Sequence, residues 1–403
     1  MNTKRKIVID KFLGVFVAFP LNFLVRLVGM ITNFDHSLKG DKKNIIVCKY
    51  KGMGSIIQST PLIQTLKSNF PNAKITFVSS VENKAILERI KIVDQVLLVD
   101  DRKIFSLISS TSRLLGKLIR MRADLYIDLE IYSNFSSIIT TFSMSKDRFG
   151  YYLNSSKYRM GMYTHMMYFN TNSPISESYL QFARLLKCNE IISSQYEFDE
   201  QINLKPDFEN YIVINANASD LRIERRWPKE YFIELISALR KSNNLLSIIL
   251  IGSNNEAIYV KEISSHFSLD EKVIDLSGKT SLDELIELIR NCNYVITNDT
   301  GPMHLSSALK KKTVALFGPC SPRQYAIGEN IIPIYKDLYC SPCVHEFIVP
   351  PCNGNNQCMI SIKTSEVLKV INQVETNSNS IEQDRKVTFV GTDGLALGKV
   401  VRR

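Results

Sequence analysis

Two short stretches of this sequence hold residues whose types and spacing can do chemistry. The first, "KGMGSIIQSTP" (51–61), follows the apolar run "NIIVC" (44–48) and leads into a segment with helical spacing. Gly52 and Gly54 allow a ligand close to the backbone at a strand-to-helix turn. The stretch lacks both the G-x-x-x-x-G-K-[ST] pattern and the third glycine of the dinucleotide fingerprint, so neither a P-loop nor a nicotinamide site is implied. The second is "VITNDTGPMHLSSAL" (295–309). A strand ends at Thr297, Asn298 and Asp299 lie in the turn, and Thr300-Gly301-Pro302 open a helix with His304 in its first turn. Unpaired N–H groups and a partial positive charge make such a terminus a phosphate site. An ordinary capped helix, with Asp299 or Thr300 as N-cap, fits the same residues.

A third cluster, "CSPCVHEFIVPPCNGNNQC" (340–358), carries C-x-x-C and two further thiols. Four thiolates can close a tetrahedral zinc site. The second pair, Cys352 and Cys358, is spaced by five residues instead of two, so thiols packing a loop are the expected reading, with no bound metal. Cys48, Cys188 and Cys292 sit in or beside apolar runs, as buried thiols do.

These residues need elements to position them. At 403 residues, with 45% hydrophobic and 22% charged side chains, the chain can bury two ordinary cores and is not a disordered polymer. From residue 44 apolar strands alternate with helices: "NIIVC", "KITFVS" (74–79), "QVLLV" (95–99) and "DLYIDL" (124–129). A less regular, tyrosine-rich stretch (149–168) follows. Alternation restarts with "YIVINA" (211–216), "LSIILIG" (246–252), "VIDL" (273–276), "YVIT" (294–297) and "TVALFG" (313–318). Ser281 and Glu284 form a capping box for one helix, and Pro228 begins another. The expected fold is α/β, with two Rossmann-like doubly wound domains facing across a cleft at the carboxyl ends of their strands.

The N-terminus reads differently. After "NTKRK" comes "FLGVFVAFPLNFLVRLVGMI" (12–31), where Gly14, Ala18, Asn22 and Arg26 recur every fourth residue. No A-x-A-like cleavage site follows, and a true span would bury Arg26, so an amphipathic helix at a membrane interface is expected. Lys4, Arg5, Lys6 and Lys11 beside it favour anionic head groups. The net charge of +10 suits a nucleic acid, a nucleotide or an anionic membrane alike and does not choose between them. Expected segments are 1–40, amphipathic and membrane-associated; 41–205, an acceptor domain; 206–375, a nucleotide-sugar domain; and 376–403, a flexible tail.

"NDTGPMHLSSALKKKTVALFGPCSP" resembles the D-T-G-x-x-H segment, running on to L-F-G-P, of the lipopolysaccharide heptosyltransferase family, glycosyltransferase family nine. "KYKGMGSIIQSTPLIQTLKSNFPNAKITFV" resembles that family's opening strand, loop and helix. "YIVINANASDLRIERRWPKEYF" resembles its strand and basic W-P segment. The resemblance covers roughly residues 42–375. It implies the GT-B architecture and an inverting, metal-independent transfer from a nucleotide-diphosphate sugar to a sugar acceptor. No D-x-D pair, the usual holder of a sugar-nucleotide metal, occurs in the chain. By the same resemblance Asp299, Thr300, Gly301 and His304 fall on phosphate and sugar contacts. Arg225 takes the place of a diphosphate-binding lysine, Glu256 falls on the ribose-binding acid, and Lys279 lies in the loop bordering the base. For Glu256, a solvated first-turn carboxylate is the other reading.

The family's opening loop usually ends G-D, the aspartate being the proposed base; here the residue is Ser55. Where the family commonly reads D-x-Q-G at the fourth strand, this chain has Asp128 and then Glu130. The expectation is a relocated base: Glu130 takes the acceptor proton, Ser55 hydrogen-bonds acceptor or phosphate, and Asp128 is the reserve. The implied partners are a nucleotide sugar, a lipid-linked or lipopolysaccharide acceptor and an anionic membrane surface, at the cytoplasmic face of the inner membrane. A GT-B sugar-nucleotide epimerase and a non-catalytic sugar-nucleotide- or glycan-binding protein are the competing readings. Nucleic acid is not expected, since the basic residues are scattered.

Overall fold

The computed structural model describes residues 3–32, 35–194, 196, 198, 208–218, 222–344, 350 and 352–376. The chain divides into two compact units, Met1–Phe198 and Asp199–Arg403. Each is organised on a six-stranded sheet whose strands all run parallel. The tail after 376 and residues 199–207, around the expected domain boundary, lie outside the described residues.

The first unit opens with helix α1 (Thr3–Thr32). It continues through β1 (Asn44–Cys48), α2 (Met53–Asn69), β2 (Lys74–Ser80), α3 (Lys84–Glu88), β3 (Gln95–Val99), α4 (Ile104–Met121) and β4 (Leu125–Asp128). Then come α5 (Asn134–Phe142), β5 (Asp147–Tyr152), β6 (His165–Tyr168) and α6 (Ile175–Leu185). The sheet order is β3-β2-β1-β4-β5-β6, so the order reverses between β1 and β4. In doubly wound sheets ligands bind outside the carboxyl ends at that reversal. The tyrosine-rich stretch is more regular than its sequence suggests, for it holds most of β5 and all of β6. "HMMY" carries no β-branched residue, and β6 is a half-exposed edge strand without a continuous apolar signal.

α1 is fastened to this unit by its small and polar stripe. The Asp10 carboxylate accepts the N–H groups of Asn134 at 3.0 Å and Phe135 at 2.6 Å, capping the first turn of α5. Gly14 lies against Asn134, where a side chain would collide with it. Ala18 is fully buried, and Asn22 Oδ1 accepts the N–H of Gly161, in the 3-10 segment Asn154–Met162 between β5 and β6. The small and polar stripe therefore faces the protein, and the apolar side faces outward.

The second unit runs β7 (Tyr211–Asn215), α7 (Lys229–Ser242), β8 (Ser247–Leu250), α8 (Ala257–Ser264), β9 (Val273–Asp275), α9 (Leu282–Asn291), β10 (Val295–Asn298) and α10 (Gly301–Ala308). It closes with β11 (Thr313–Phe317), α11 (Pro322–Tyr325), β12 (Ile331–Tyr335), α12 (Gln357–Ile360) and α13 (Thr364–Thr376). The order β12-β11-β10-β7-β8-β9 reverses between β10 and β7. Ser281 and Glu284 make the expected capping box at α9. β12 was not legible because Pro333 interrupts its run; an edge strand tolerates a missing donor. Trp227 is fully buried, its indole N–H donating to the Ile362 carbonyl at 2.8 Å.

Candidate functional site

In the second unit the residues singled out by sequence gather on the carboxyl edge of one sheet, around its reversal. β10 delivers Asn298 and Asp299, and the chain turns at Thr300 into the N-terminus of α10. Arg225, from the short 3-10 turn after β7, donates through Nη1 to the Asp299 carbonyl at 2.9 Å, and the same nitrogen lies 3.5 Å from Oδ2. His304 Nε2 is 4.0 Å from Asp299 Oδ1. Burial, reinforced by the Arg225 charge and opposed by Asp299, pushes the His304 imidazole down to about 4. At neutral pH it is an uncharged donor-acceptor ring. Arg225 is held firmly protonated: burial disfavours its charge, but the negative charge of neighbours such as Asp299 prevails.

Glu256 and Lys279 belong to the next two strand ends. Glu256 Oε2 accepts both the N–H (2.8 Å) and the hydroxyl (2.7 Å) of Ser253, completing a capping box before α8. The first-turn role that competes with ribose binding is thus filled. Lys279 Nζ donates to the Asp275 carbonyl at 2.7 Å. The two loops are joined by the Gly278 N–H on the Gly252 carbonyl, where φ of +69° suits glycine.

Sequence reasoning passed over the asparagines that tie these strand ends together. Asn215 Nδ2 donates to Thr300 Oγ1 at 2.7 Å, and Asn298 Nδ2 to the Asn217 carbonyl at 3.0 Å. Asn298 Oδ1 receives the Trp227 N–H and Asn217 Nδ2 holds the Ile251 carbonyl. Buried amides ending otherwise apolar strands were the available signal. Cys320 was also missed; its thiol is buried beside Asp299, with which it hydrogen-bonds.

In the first unit the glycine turn leaves β1 beside β4, at the other sheet's reversal. Gly52 takes φ of +87°, and Ser55 enters α2 with its hydroxyl on Tyr179. Glu130 Oε2 pairs with Lys49 Nζ at 2.8 Å, while Oε1 accepts the N–H groups of Tyr50 (2.8 Å) and Lys51 (3.0 Å). Burial works to raise this carboxyl, but Lys49 and the two N–H donors more than offset it and hold it low. Such a group is ionised yet weakly basic, and it fixes the entry to the glycine turn.

Asp128 corrects an expectation. It does not open on the surface beside Glu130: its exposure is 0%. It accepts from the Glu130 N–H at 2.9 Å and Tyr163 OH at 2.7 Å, with Ser136, Thr140 and Cys48 also around it. Burial raises its carboxyl against these hydrogen bonds. Asp128 is a hub inside the fold, closed to an acceptor hydroxyl. Lys49 and Asp10 were the residues missed here, the first a lone cation directly after an apolar strand.

The four clustered cysteines are all thiols. Among the described residues, no three or more His, Cys, Asp or Glu side chains are placed to hold a metal ion.

Residues 112–349 match glycosyltransferase family 9 (heptosyltransferase). The lipooligosaccharide heptosyltransferase 2 of Campylobacter jejuni is 26% identical over 343 residues, covering 81% of this chain and 97% of that protein. Among solved structures, a family 9 glycosyltransferase from Veillonella parvula superposes with a TM-score of 0.67 at 20% identity, over 84% of this chain and 98% of that one. E. coli ADP-heptose LPS heptosyltransferase II gives 0.63 at 19% identity, over 84% and 100%. At these identities the structures speak for the fold alone. The family match spans more than half of the chain, which therefore belongs to glycosyltransferase family 9, the heptosyltransferase family, and is a glycosyltransferase.

Proposed function

We propose that the protein transfers a heptose or similar hexose-like sugar from a nucleotide-diphosphate donor to a lipopolysaccharide-type acceptor at the inner-membrane face, by inverting displacement without a divalent metal. The observation that carries this is Arg225 and the N-terminus of α10 converging around Asp299 at the reversal of the second sheet. A diphosphate leaving group gains negative charge as the glycosidic bond breaks, and preorganised donors and a fixed cation meet it there. The fork of Arg225 suits two phosphate oxygens, His304 offers a neutral hydrogen bond to phosphate or sugar, and Thr300 and Gly301 open the helix end. Glu256 and Lys279, on adjacent strand ends, take ribose and base.

In the first unit the exposed Gly52 lets the acceptor approach and Ser55 hydrogen-bonds it, while Gly54 is buried in the first turn of α2. Glu130, with every oxygen engaged, fits the role of holding the turn better than that of the base. The name of the E. coli structure favours ADP-heptose as the donor to try first.

A thermal-shift screen against ADP-, UDP-, GDP- and dTDP-sugars tests the donor site. A ligand at a hundred times its Kd adds about 2.7 kcal/mol of stability. Release of nucleoside diphosphate only when a lipopolysaccharide-core acceptor is present supports transfer. Sugar-nucleotide interconversion without acceptor points to an epimerase, and binding without turnover to a non-catalytic receptor.

A further inference from the structure

α1 carries two unlike surfaces. One, through Asp10, Gly14, Ala18 and Asn22, is bonded to α5 and to the 3-10 segment. On the other, Phe12, Phe16, Phe19 and Phe23 are 64–75% exposed, and Leu27, Met30 and Ile31 extend the stripe. At roughly 100° per residue these positions fall on one side of the helix, away from the bonded stripe. No Asp or Glu occurs between Lys11 and Phe34, whereas Lys4, Arg5, Lys6 and Lys11 precede or begin the apolar run.

We infer that α1 lies flat on an anionic lipid bilayer and holds the glycine-turn end of the first unit at the membrane surface, so that the acceptor is taken from the plane of the lipid. This rests on the lipid-linked acceptor proposed above and names the surface that meets it. A row of phenylalanines bordered by cations and free of carboxylates matches an acyl boundary beneath negative head groups. The helix is fixed close to the glycine turn: Asp10 caps α5 at Phe135, whose ring stands edge-on to Tyr50 at 5.4 Å. Membrane contact and acceptor turn thus move as one body.

Val8–Ile31 is long and apolar enough to cross a membrane, but a crossing helix would withdraw Asp10 and Asn22 from their partners. The N–H groups of Asn134, Phe135 and Gly161 would lose their acceptors, and Arg26 would enter hydrocarbon. Lying flat keeps every one of these bonds.

The test uses the full chain with vesicles of phosphatidylcholine, with and without phosphatidylglycerol. Wild-type protein is expected to cosediment with the anionic vesicles and to be released by alkaline carbonate. Phe16→Asp/Phe23→Asp should weaken binding at least about tenfold, since two rings lose their burial in the acyl boundary. The melting temperature and the thermal shift with ADP should stay unchanged. If that variant melts early, Phe16→Ser/Phe23→Ser replaces it. Equal binding by the variants overturns the inference. So does resistance to carbonate, which would mean a span, or a dimer that the variants convert to monomer without vesicle binding, which would mean a second copy. Failure to bind any nucleotide would instead sink the donor reading and leave the vesicle result standing.

Discussion

Lys49 and Glu130 form a buried ion pair, 2.8 Å from Nζ to Oε2, directly before the glycine turn. Its second oxygen holds the N–H groups of Tyr50 and Lys51, so one carboxylate joins the end of β4 to the exit of β1. By the resemblance, Glu130 takes the place of a glutamine and Ser55 that of an aspartate. The carboxylate at the base of the turn binds protein instead of facing solvent.

Glu130→Gln should therefore act first on stability. Removing one partner of a buried pair costs about 3–5 kcal/mol, because the Lys49 ammonium is left buried without its counter-charge. Urea unfolding measures this. The carboxyl is held below its ordinary value in the fold, so its stabilisation is present above the unfolded value and is lost as pH falls through the lower folded one. Glu130→Gln should remove that acid-side loss. A variant that folds as well as wild type but has kcat reduced by roughly 10²–10⁴ would return Glu130 to the role of base.

Asp10→Ala should destabilise the first unit by about 1 kcal/mol, as loss of an N-cap carboxylate does. Gly14→Leu should do more, because Asn134 occupies the space the new side chain needs. Limited proteolysis will show α1 of Gly14→Leu cut faster than in wild type. Equal protection would mean that the helix does not sit on α5. Removing residues 1–38 exposes the same surface of α5, so the truncated chain should melt at a lower temperature.

The cysteine cluster gives a simple expectation. Protein purified without chelator should carry less than one zinc per chain by elemental analysis. Among the described residues these thiols are not gathered as a metal site, and burial raises Cys358 to about 12 and lifts Cys343. Stoichiometric metal would show that these thiols rearrange to bind it.

Much of this was legible because strand-end motifs are local. "NDTGPMH" holds strand end, turn and helix start in seven consecutive letters, and β10 ends and α10 begins there, although Thr300 makes no side-chain capping bond. Glu130 and Asp128 were harder. They are two residues apart, Asp128 closing β4 and Glu130 just beyond it, yet one reaches the glycine turn and the other is enclosed by hydroxyls from α5 and by Tyr163. That difference depends on side chains distant in sequence, which no spacing encodes. The stripe on α1 was visible as a period of four, but its direction depends on Gly161 and Asn134, far along the chain.

The last prediction couples Arg225 to His304. The imidazole is held near 4 by burial first, with the Arg225 charge adding to it and Asp299 opposing. Above the unfolded value near 6.5 the ring is neutral in both states and has no effect on pH dependence. As pH falls from there toward 4, the unfolded chain takes up a proton that the fold refuses, and stability declines by about 3 kcal/mol. Arg225→Ala removes a neighbouring positive charge, so the His304 midpoint, followed by NMR of the ring, should rise. The same variant should weaken binding of ADP roughly tenfold to a hundredfold, the worth of a lost charged hydrogen bond. Arg225→Lys should keep the low imidazole midpoint and recover only part of the affinity, since an ammonium cannot fork across two phosphate oxygens. An unchanged His304 midpoint in Arg225→Ala would show that the two side chains do not share one electrostatic site. Unchanged ADP affinity would move the diphosphate away from Arg225.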